Sequence, residues 1–218
     1  MIRSALVVLA GCSGVFGIQH LPPADAAKDA PIDAPLPPCV PVATFADTFD
    51  SSPPCSAWGF TDTTTATVSV AQGQLVIVPD ANNASTRGGC LSSGNAPFDP
   101  DSGIFVESVM PGAPNEYKFA MVDQLTINWD ATTVTFDLGM NQFASADFGP
   151  GTRWTRLRPT PDRTMVLAET APDGRTWTVV GSVAFTAPTT ARVTLLGGTF
   201  AALPAPPAIT FDGFDVCP

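Results

Sequence analysis

The sequence is poor in the residues that enzymes use most often for acid–base and metal chemistry. Among its 218 residues there is one histidine, His20, and there are three glutamates, Glu107, Glu116 and Glu169. A Ser-His-Asp triad needs a histidine beside its nucleophile, and a histidine-rich metal centre needs several. Because His20 precedes the segment that we expect to fold, both kinds of site are excluded from that segment. No strand candidate is followed by a glycine-rich phosphate-binding loop either.

Positive charge is also scarce. Lysine and arginine total 10 against 20 aspartates and glutamates, which gives a formal charge of −10. This balance argues against nucleic acid and anionic lipid as direct partners. Charged residues make up 14% of the chain, and Thr, Ser, Asn, Gly and Pro supply most of its polarity. Such a composition favours strands and turns over helices, and no segment has a convincing amphipathic helical pattern.

The first twelve residues resemble a bacterial lipoprotein signal peptide. Arg3 is followed by an apolar run over residues 5–10 and then by Leu9-Ala10-Gly11-Cys12. The resemblance implies cleavage before Cys12 and attachment of lipid to its thiol and new amino terminus. Several acyl chains on one residue give lasting attachment, since each buried methylene contributes about 0.8 kcal/mol. We therefore expect an exported protein, anchored to the bacterial cell envelope at the outer membrane or cell surface. No other segment approaches the length of a membrane span.

Residues 13–38 have a different composition, rich in Ala, Asp and Pro, without a periodic apolar face. Their prolines favour an extended, semi-rigid tether. The predicted organisation is a signal peptide over residues 1–11, a lipidated cysteine and linker over residues 12–38, and one β-domain over residues 39–218.

Residues 164–185 give the clearest secondary-structure signal, that of a β-hairpin. Asp173-Gly174 lies between two runs rich in Val, Thr and Trp, and Asp-Gly favours a two-residue turn. In the second run Trp177, Val179, Val183 and Phe185 share one parity, which predicts that they form the dry face of a strand.

The rest of the domain reads as a series of short strands separated by Gly, Pro, Asn and Asp. Close spacing without helical crossovers favours antiparallel pairing, so the predicted fold class is an all-β antiparallel sandwich. The other strand candidates are residues 45–49, a hairpin of 67–71 with 74–78 about Gln72-Gly73, and 103–110, 116–123, 133–140, 153–158, 191–200 and 208–216.

Four cysteines remain after the lipidation site. They are Cys39, Cys55, Cys90 and Cys217, and export makes disulfides the expectation, with three connectivities available. If the first and last strands pair antiparallel, Cys39 approaches Cys217 and leaves Cys55 for Cys90. We prefer that pairing.

Several segments share their order and spacing with a known superfamily. They are residues 45–50 followed by Trp58, 73–77, 154–158, 171–174 with Trp177, and 209–216. Together they resemble the concanavalin A-like lectin/glucanase superfamily, in its laminin G-like or small bacterial jelly-roll form, over residues 44–216. The resemblance implies a jelly-roll β-sandwich, and because one fold carries many functions it does not by itself fix the activity.

The glucanases of that superfamily carry a Glu-x-Asp-x-x-Glu strand or a near variant, which supplies the two carboxylates of retaining hydrolysis. Here the motif is absent, since Glu107, Glu116 and Glu169 lie on different predicted strands with no acid two residues later. The resemblance therefore favours a binding protein over an enzyme.

A carbohydrate site is predicted on the strand over residues 153–158. Lectin sites stack sugar rings on an aromatic face and surround them with planar polar groups. Trp154, Arg156 and Arg158 share one parity, Arg163 adds to the basic cluster, and Glu169 on the neighbouring strand is placed to orient the arginines. Arginine forks suit an acidic glycan. The alternative is a solvated outer face with Trp154 at a sheet edge, while Trp58, Trp129 and Trp177 are predicted core residues.

Calcium is the other feature that the resemblance implies, bound by aspartates near the chain termini. Asp47 shares the parity of Phe45 and Phe49, and a change of parity at Gly213 suggests a β-bulge beside Asp212. Asp47 and Asp212 are thus the predicted metal ligands, and residues 99–103 form a second candidate. The alternative is that these carboxylates cap turns or bind backbone amides.

The function expected from these patterns is that of a lipid-anchored, lectin-like carbohydrate-binding module. Two alternatives stay open, a structural or adhesion module that contacts a protein partner and a diverged glycan hydrolase.

Overall fold

The chain is built from short antiparallel strands joined by tight turns. The computed structural model describes residues 47–50, 53–56, 58–101, 103–108 and 116–216. The predicted signal peptide, Cys12, the linker, Cys39 and Cys217 lie outside these residues. Within them the helical structure is a 3₁₀ turn at Pro150–Thr152, and no helix is long and apolar enough to cross a membrane.

Seventeen strands are found within the described residues. They are β1 Gly59–Asp62, β2 Ala66–Ala71, β3 Gln74–Pro79, β4 Thr86–Ser92, β5 Ala96–Pro97, β6 Ile104–Glu107, β7 Glu116–Val122, β8 Leu125–Trp129, β9 Thr133–Leu138, β10 Asn141–Asp147, β11 Trp154–Pro159, β12 Met165–Ala171, β13 Thr178–Ala184, β14 Thr190–Ala191, β15 Val193–Thr199, β16 Ile209–Phe211 and β17 Gly213–Val216.

Two large antiparallel sheets enclose the main core. The first has the order β1-β4-β15-β7-β8-β9-β10 and the second the order β13-β12-β11-β6-β17. Alternation along the strands supplies the core: in β8, Leu125, Ile127 and Trp129 are buried while the residues between them are half-buried. A three-stranded sheet, β16-β3-β2, adds Leu75 and Ile77 to the same core. The all-β antiparallel sandwich predicted from the sequence is confirmed.

The two ends of the domain meet, as the strand pairing used for the cysteines requires. Asp47 and Phe214 form an antiparallel bridge, in which each backbone N–H donates to the other's carbonyl oxygen at 2.9 and 3.0 Å. The inward-facing residues change parity near Gly213, as the sequence predicts, but the cause is that the chain passes from one sheet to another. β16 pairs with β3, whereas β17 pairs with β6.

The predicted hairpin about Gln72-Gly73 is present, with φ values of 56° and 71° at its two turn residues. Positive φ at both positions fits the tight turn that follows the twist of a hairpin. The Cys55–Cys90 disulfide is present as well.

The hairpin over residues 164–185 differs from its prediction in two ways. Its strands β12 and β13 pair, but a six-residue loop, residues 172–177, replaces the two-residue turn. The Asp173 carboxylate accepts the backbone N–H groups of Arg175 and Thr176 at 2.9 and 2.8 Å, which holds the wider loop.

The predicted dry face of β13 is confirmed at Val183 and Phe185 but is wrong at Val179, because of a register shift. Ala168 faces Gly181 but Glu169 faces Val179, so one extra residue stands in β13. Val183 and Phe185 pack against the main core, whereas Val179 is 52% exposed.

Candidate functional site

The sequence-predicted site lies on the side of the five-stranded sheet that faces away from the main core, which we call the outer face. The register places Trp154 between Glu107 and Ala171, and Arg156 between Phe105 and Glu169. The shared parity of Trp154, Arg156 and Arg158 is therefore confirmed, and Glu169 joins them on the neighbouring strand.

Trp154 is not the exposed stacking surface that the sequence predicts, because it is only 8% exposed. Its ring meets Phe105 edge to face at 5.8 Å between centroids, and Phe105 lies at the same distance from Trp177. The indole extends toward Gly213, where a Cβ would lie 3.5 Å from its Cη2 atom, in ordinary van der Waals contact. Trp154 thus belongs to a second, smaller core on the outer face, and its buried indole N–H has no hydrogen-bond partner among the residues that the structure describes.

Trp177 also departs from its prediction. It is half-buried and packs in this second core rather than in the main one, where Trp58 and Trp129 are 1% and 2% exposed. The guanidinium carbon of Arg156 lies 4.1 Å from the Trp177 ring centroid, a cation–π contact. Burial and this contact leave Arg156 little open surface.

Glu169 holds both arginines. Its Oε2 accepts from Arg156 Nε at 2.7 Å and from Arg158 Nε at 3.0 Å, and its Oε1 accepts from Arg158 Nη2 at 2.8 Å. Arg158 also donates to the carbonyl of Pro100. Burial lowers the pKa of Arg156, and the hydrogen bonds to Glu169 raise the pKa of Arg158. Both guanidiniums stay charged at neutral pH, so the cluster carries one net positive charge.

Arg163, which the sequence adds to the basic cluster, has a separate structural role. Its Nη1 donates to the carbonyl oxygens of Phe98 and Pro188 at 3.0 and 2.6 Å. The guanidinium therefore ties two loops together and does not join Arg156 and Arg158.

A pocket of about 410 Å³ opens at one end of the five-stranded sheet, where β6 ends, β11 begins and β12 ends. We call it the Arg153 pocket. It is lined by one guanidinium, one serine, one glycine and three apolar side chains, namely Arg153, Ser108, Gly149, Phe148, Pro150 and Pro172. Concave sites of this size with apolar walls and a few polar groups are typical of small-ligand sites, which span roughly 300–1,000 Å³.

Arg153 is fixed in the pocket wall from two sides. Its Nε forms an ion pair with Glu107 Oε1, and its Nη2 donates to Asp212 Oδ2 at 2.7 Å. The side chains of Glu107 and Asp212 are 5% and 18% exposed, against 28% for Arg153. One guanidinium therefore faces two carboxylates.

The loop before Arg153 is held by its own hydrogen bonds. The Thr152 hydroxyl donates to the carbonyl of Asp147 at 2.7 Å and accepts the backbone N–H of Gly149 at 2.9 Å. Pro150 adds its fixed φ to the same turn. The pocket wall is thus formed by a constrained turn, which sequence reasoning missed. The Gly149-Pro150-Gly151 run before the Trp154 strand was the available signal.

The predicted calcium ligands have other contacts. Asp212 pairs with Arg153, and Asp47 Oδ1 accepts the backbone N–H of Phe49 at 2.8 Å. In the second candidate, Asp99 Oδ1 accepts the N–H of Asp101 at 2.8 Å. Across the residues that the structure describes, no group of three or more His, Cys, Asp or Glu side chains could hold a metal ion. Asp47 and Asp99 make the backbone contacts of the alternative interpretation, whereas Asp212 forms an ion pair with Arg153.

Comparisons with known proteins gave matches among solved structures alone. No family model matches the chain, and no curated protein does. Among solved structures, the chain is similar to a Lotus tetragonolobus seed lectin, with a TM-score of 0.46 and 10% identity over 72% of this chain and 90% of that one. It is also similar to lectin I-B4 from Griffonia simplicifolia in its metal-free form, with a TM-score of 0.42 and 10% identity over 72% and 97% of the two chains.

A legume lectin-like domain from Entamoeba histolytica matches with a TM-score of 0.41 and 6% identity, over 69% of this chain and 86% of that one. All three matches are described as lectins or lectin-like domains. At these TM-scores and identities they assign neither a family nor a ligand to the chain.

Proposed function

We propose that the chain is a carbohydrate-binding module, that it has no catalytic role, and that its ligand occupies the Arg153 pocket. The observation that carries the proposal is the pocket itself, in which apolar side chains stand beside a fixed guanidinium. The lectin-like resemblance of the sequence supports the same function.

The chemistry of the pocket suits a sugar. A pyranose ring has apolar C–H faces, which pack against aromatic and aliphatic surfaces, and hydroxyl groups that need fixed polar partners. The apolar surfaces are supplied by Phe148, Pro150 and Pro172, and the N–H donors by Arg153. Because two carboxylates and a constrained turn hold Arg153, little side-chain entropy is lost when a ligand binds.

The four residues predicted from the sequence take different parts in this proposal. Trp154, Arg156 and Glu169 are nine-tenths buried and support the outer face beside the pocket. Arg158, whose side chain is 22% exposed, is the most open of the four and is proposed to contact an extended glycan beyond the pocket.

The proposed location follows from the sequence alone. The lipoprotein-like residues 1–12 support export and lipid attachment at Cys12, and the proline-rich residues 13–38 support a tether between the bacterial envelope and the domain.

The test is a glycan array probed with the purified chain, followed by titration of the best ligand against Phe148→Ala. Loss of an aromatic packing surface should weaken binding by about 1–3 kcal/mol. Phe148 also contacts the main core, so the melting temperature of each variant is measured in parallel. Phe200→Ala is the matched control, since Phe200 is 69% exposed and does not line the pocket. Equal affinities for Phe148→Ala and the wild type would reject the pocket as the site.

A protein-binding function is the second candidate, and one observation favours it. Phe60 is 58% exposed on β1, which is an edge strand of the seven-stranded sheet. Edge strands with exposed apolar side chains can pair with another chain. A chain that binds no glycan on the array, but whose capture of a partner is abolished by Phe60→Ser, would support this function instead.

A further inference from the structure

We infer that the Arg153 pocket selects glycans that carry an acetyl group, whose carbonyl oxygen accepts a hydrogen bond from Arg153 and whose methyl group packs on Pro150 and Pro172. N-acetyl and O-acetyl sugars share this chemistry, so both are included in the class. The inference rests on the proposed function and deepens it by naming the class of ligand.

The polar side chains of the pocket are the first reason. Among the described residues that line it, Arg153 and Ser108 carry polar side-chain atoms. Ser108 is 0% exposed and offers a ligand little surface, whereas the Arg153 side chain is 28% exposed. A guanidinium donates hydrogen bonds and does not accept them. The ligand group that faces Arg153 must therefore be an acceptor.

The backbone carbonyl groups around the pocket are the second reason, because several of them already accept hydrogen bonds. The Gly149 carbonyl accepts the N–H of Thr152, and the Arg153 carbonyl accepts the N–H of Ser108, both at 3.0 Å. The Asp147 carbonyl accepts the Thr152 hydroxyl at 2.7 Å.

This engagement separates a carbonyl group from a hydroxyl group as the partner of Arg153. A hydroxyl that accepts from Arg153 also brings an O–H donor, which needs an acceptor of its own. The carboxylates of Glu107 and Asp212 face Arg153 and are not among the described residues of the lining. A carbonyl oxygen accepts from Arg153 and brings no donor, so it fits the pocket better.

The apolar wall is the third reason. Pro150 and Pro172 are exposed, and Phe148 is half-buried. One face of a sugar ring covers the aromatic surface of Phe148, and the two prolines add apolar surface that a methyl group fills. One added methylene in an apolar pocket is worth roughly 10–200-fold in discrimination between ligands. A uronate carboxylate would bring no apolar group and would lose water against the same side chains.

The experiment uses the full chain and an array of N-acetylated and O-acetylated glycans. Each is printed beside its parent glycan, which has a hydroxyl in place of the acetamido or acetoxy group, and beside the corresponding uronate. The best acetylated glycan is then titrated against its parent and against its formyl analogue, which keeps the carbonyl group and lacks the methyl group.

We expect the acetylated glycan to bind at least about tenfold more tightly than its parent, at the low end of the range for one methylene because the pocket is open to solvent. The formyl analogue should bind with intermediate affinity, since it keeps the acceptor for Arg153 and loses the contact with the prolines.

Pro172→Ala tests the apolar wall directly. It should reduce the preference for acetyl over formyl by about three- to fourfold, near the effect of one buried methylene. Pro161→Ala is the matched control, since Pro161 is also exposed in a turn and is not among the described residues that line the pocket. A ratio of two affinities is insensitive to a general loss of folded protein, so a purely structural effect of Pro172→Ala would leave it unaltered.

The outcomes distinguish this inference from the proposed function. If a parent glycan or a uronate binds the wild type as tightly as its acetylated partner, the inference is wrong while the proposed function stands. An acetyl preference that Pro172→Ala leaves unchanged would place the acetyl group elsewhere and would also overturn the inference. If no glycan binds, the proposed function fails and the inference fails with it.

Discussion

Removing the carboxylate of Glu169 should destabilise the domain more than the loss of any exposed charge. The Glu169 side chain is 3% exposed and accepts three hydrogen bonds from Arg156 and Arg158. Those arginines stand two residues apart on the same face of β11, so they repel each other once Glu169 is neutral. Loss of one partner from a buried ion pair costs about 3–5 kcal/mol.

We therefore expect Glu169→Gln to lower the free energy of unfolding by about 3 kcal/mol, since the amide keeps the shape but loses the charge. For a domain of this size about 1 kcal/mol corresponds to roughly 2–4 °C, so the melting temperature should fall by about 6–12 °C. Urea and thermal unfolding, followed by tryptophan fluorescence and circular dichroism, measure both quantities.

Asp80→Asn is the control for Glu169→Gln, because it also removes one negative charge but from an exposed side chain in the turn after β3. It should change stability by no more than about 0.5 kcal/mol. The double variant Arg156→Met/Glu169→Gln should lose less than the sum of the single variants, by at least about 1 kcal/mol. A Glu169→Gln variant as stable as the control would refute the account of the outer face.

The remaining predictions concern the burial of Trp154, the lipid anchor, the second disulfide and the ionisation of Asp47. Trp154→Ala should cost about 3–5 kcal/mol of stability, since Trp154 is 8% exposed; a change in glycan affinity with an unaltered melting temperature would contradict its burial. Cys12→Ser should release the protein from membranes, and a mutant that still fractionates with them after precursor is excluded would refute the lipid anchor. Peptide mapping of non-reduced protein should recover Cys39 linked to Cys217, whereas Cys39 linked to Cys55 would overturn both pairings. Burial raises the pKa of Asp47 in the folded protein. The protonated carboxyl therefore contributes to folding stability at low pH, and this contribution is lost as the pH rises through the raised pKa. Asp47→Asn should therefore raise the melting temperature at pH 7 and leave it unchanged near pH 3; a loss of stability at pH 7, together with a gain on adding calcium to the wild type, would instead favour the predicted calcium site.

The sequence predicted the fold class because strand alternation and turn residues are local signals. It missed β1, β4, β8 and β10 of the seven-stranded sheet, and in β4 the Gly88-Gly89 pair looks like a loop. In the fold these glycines are required by packing, since a Cβ on Gly89 would lie 2.0 Å from the Leu195 carbonyl oxygen, and one on Gly88 would lie 2.7 Å from Ala66 Cβ. Close approach between strands is a tertiary property that no local pattern records.

The placement of the candidate site residues was predicted in part. Shared parity correctly placed Trp154, Arg156 and Arg158 on one face, and the contact with Glu169 followed from its place on the neighbouring strand. The exposure predicted for Trp154 was wrong, because its burial depends on Phe105, which lies on a strand far away in the sequence.

The Arg153 pocket could not be found from parity. It combines the ends of three strands with a turn, and Arg153 meets Asp212 only because the chain changes sheets at that residue. Contacts of this kind are set by topology, which the sequence specifies only through the complete fold.

The most direct test of the proposed function is a crystal structure of the chain with the best glycan from the array. We predict a sugar ring packed on Phe148, with at least one hydroxyl within hydrogen-bond distance of an Arg153 N–H. A glycan bound elsewhere on the domain, with the Arg153 pocket empty, would contradict it.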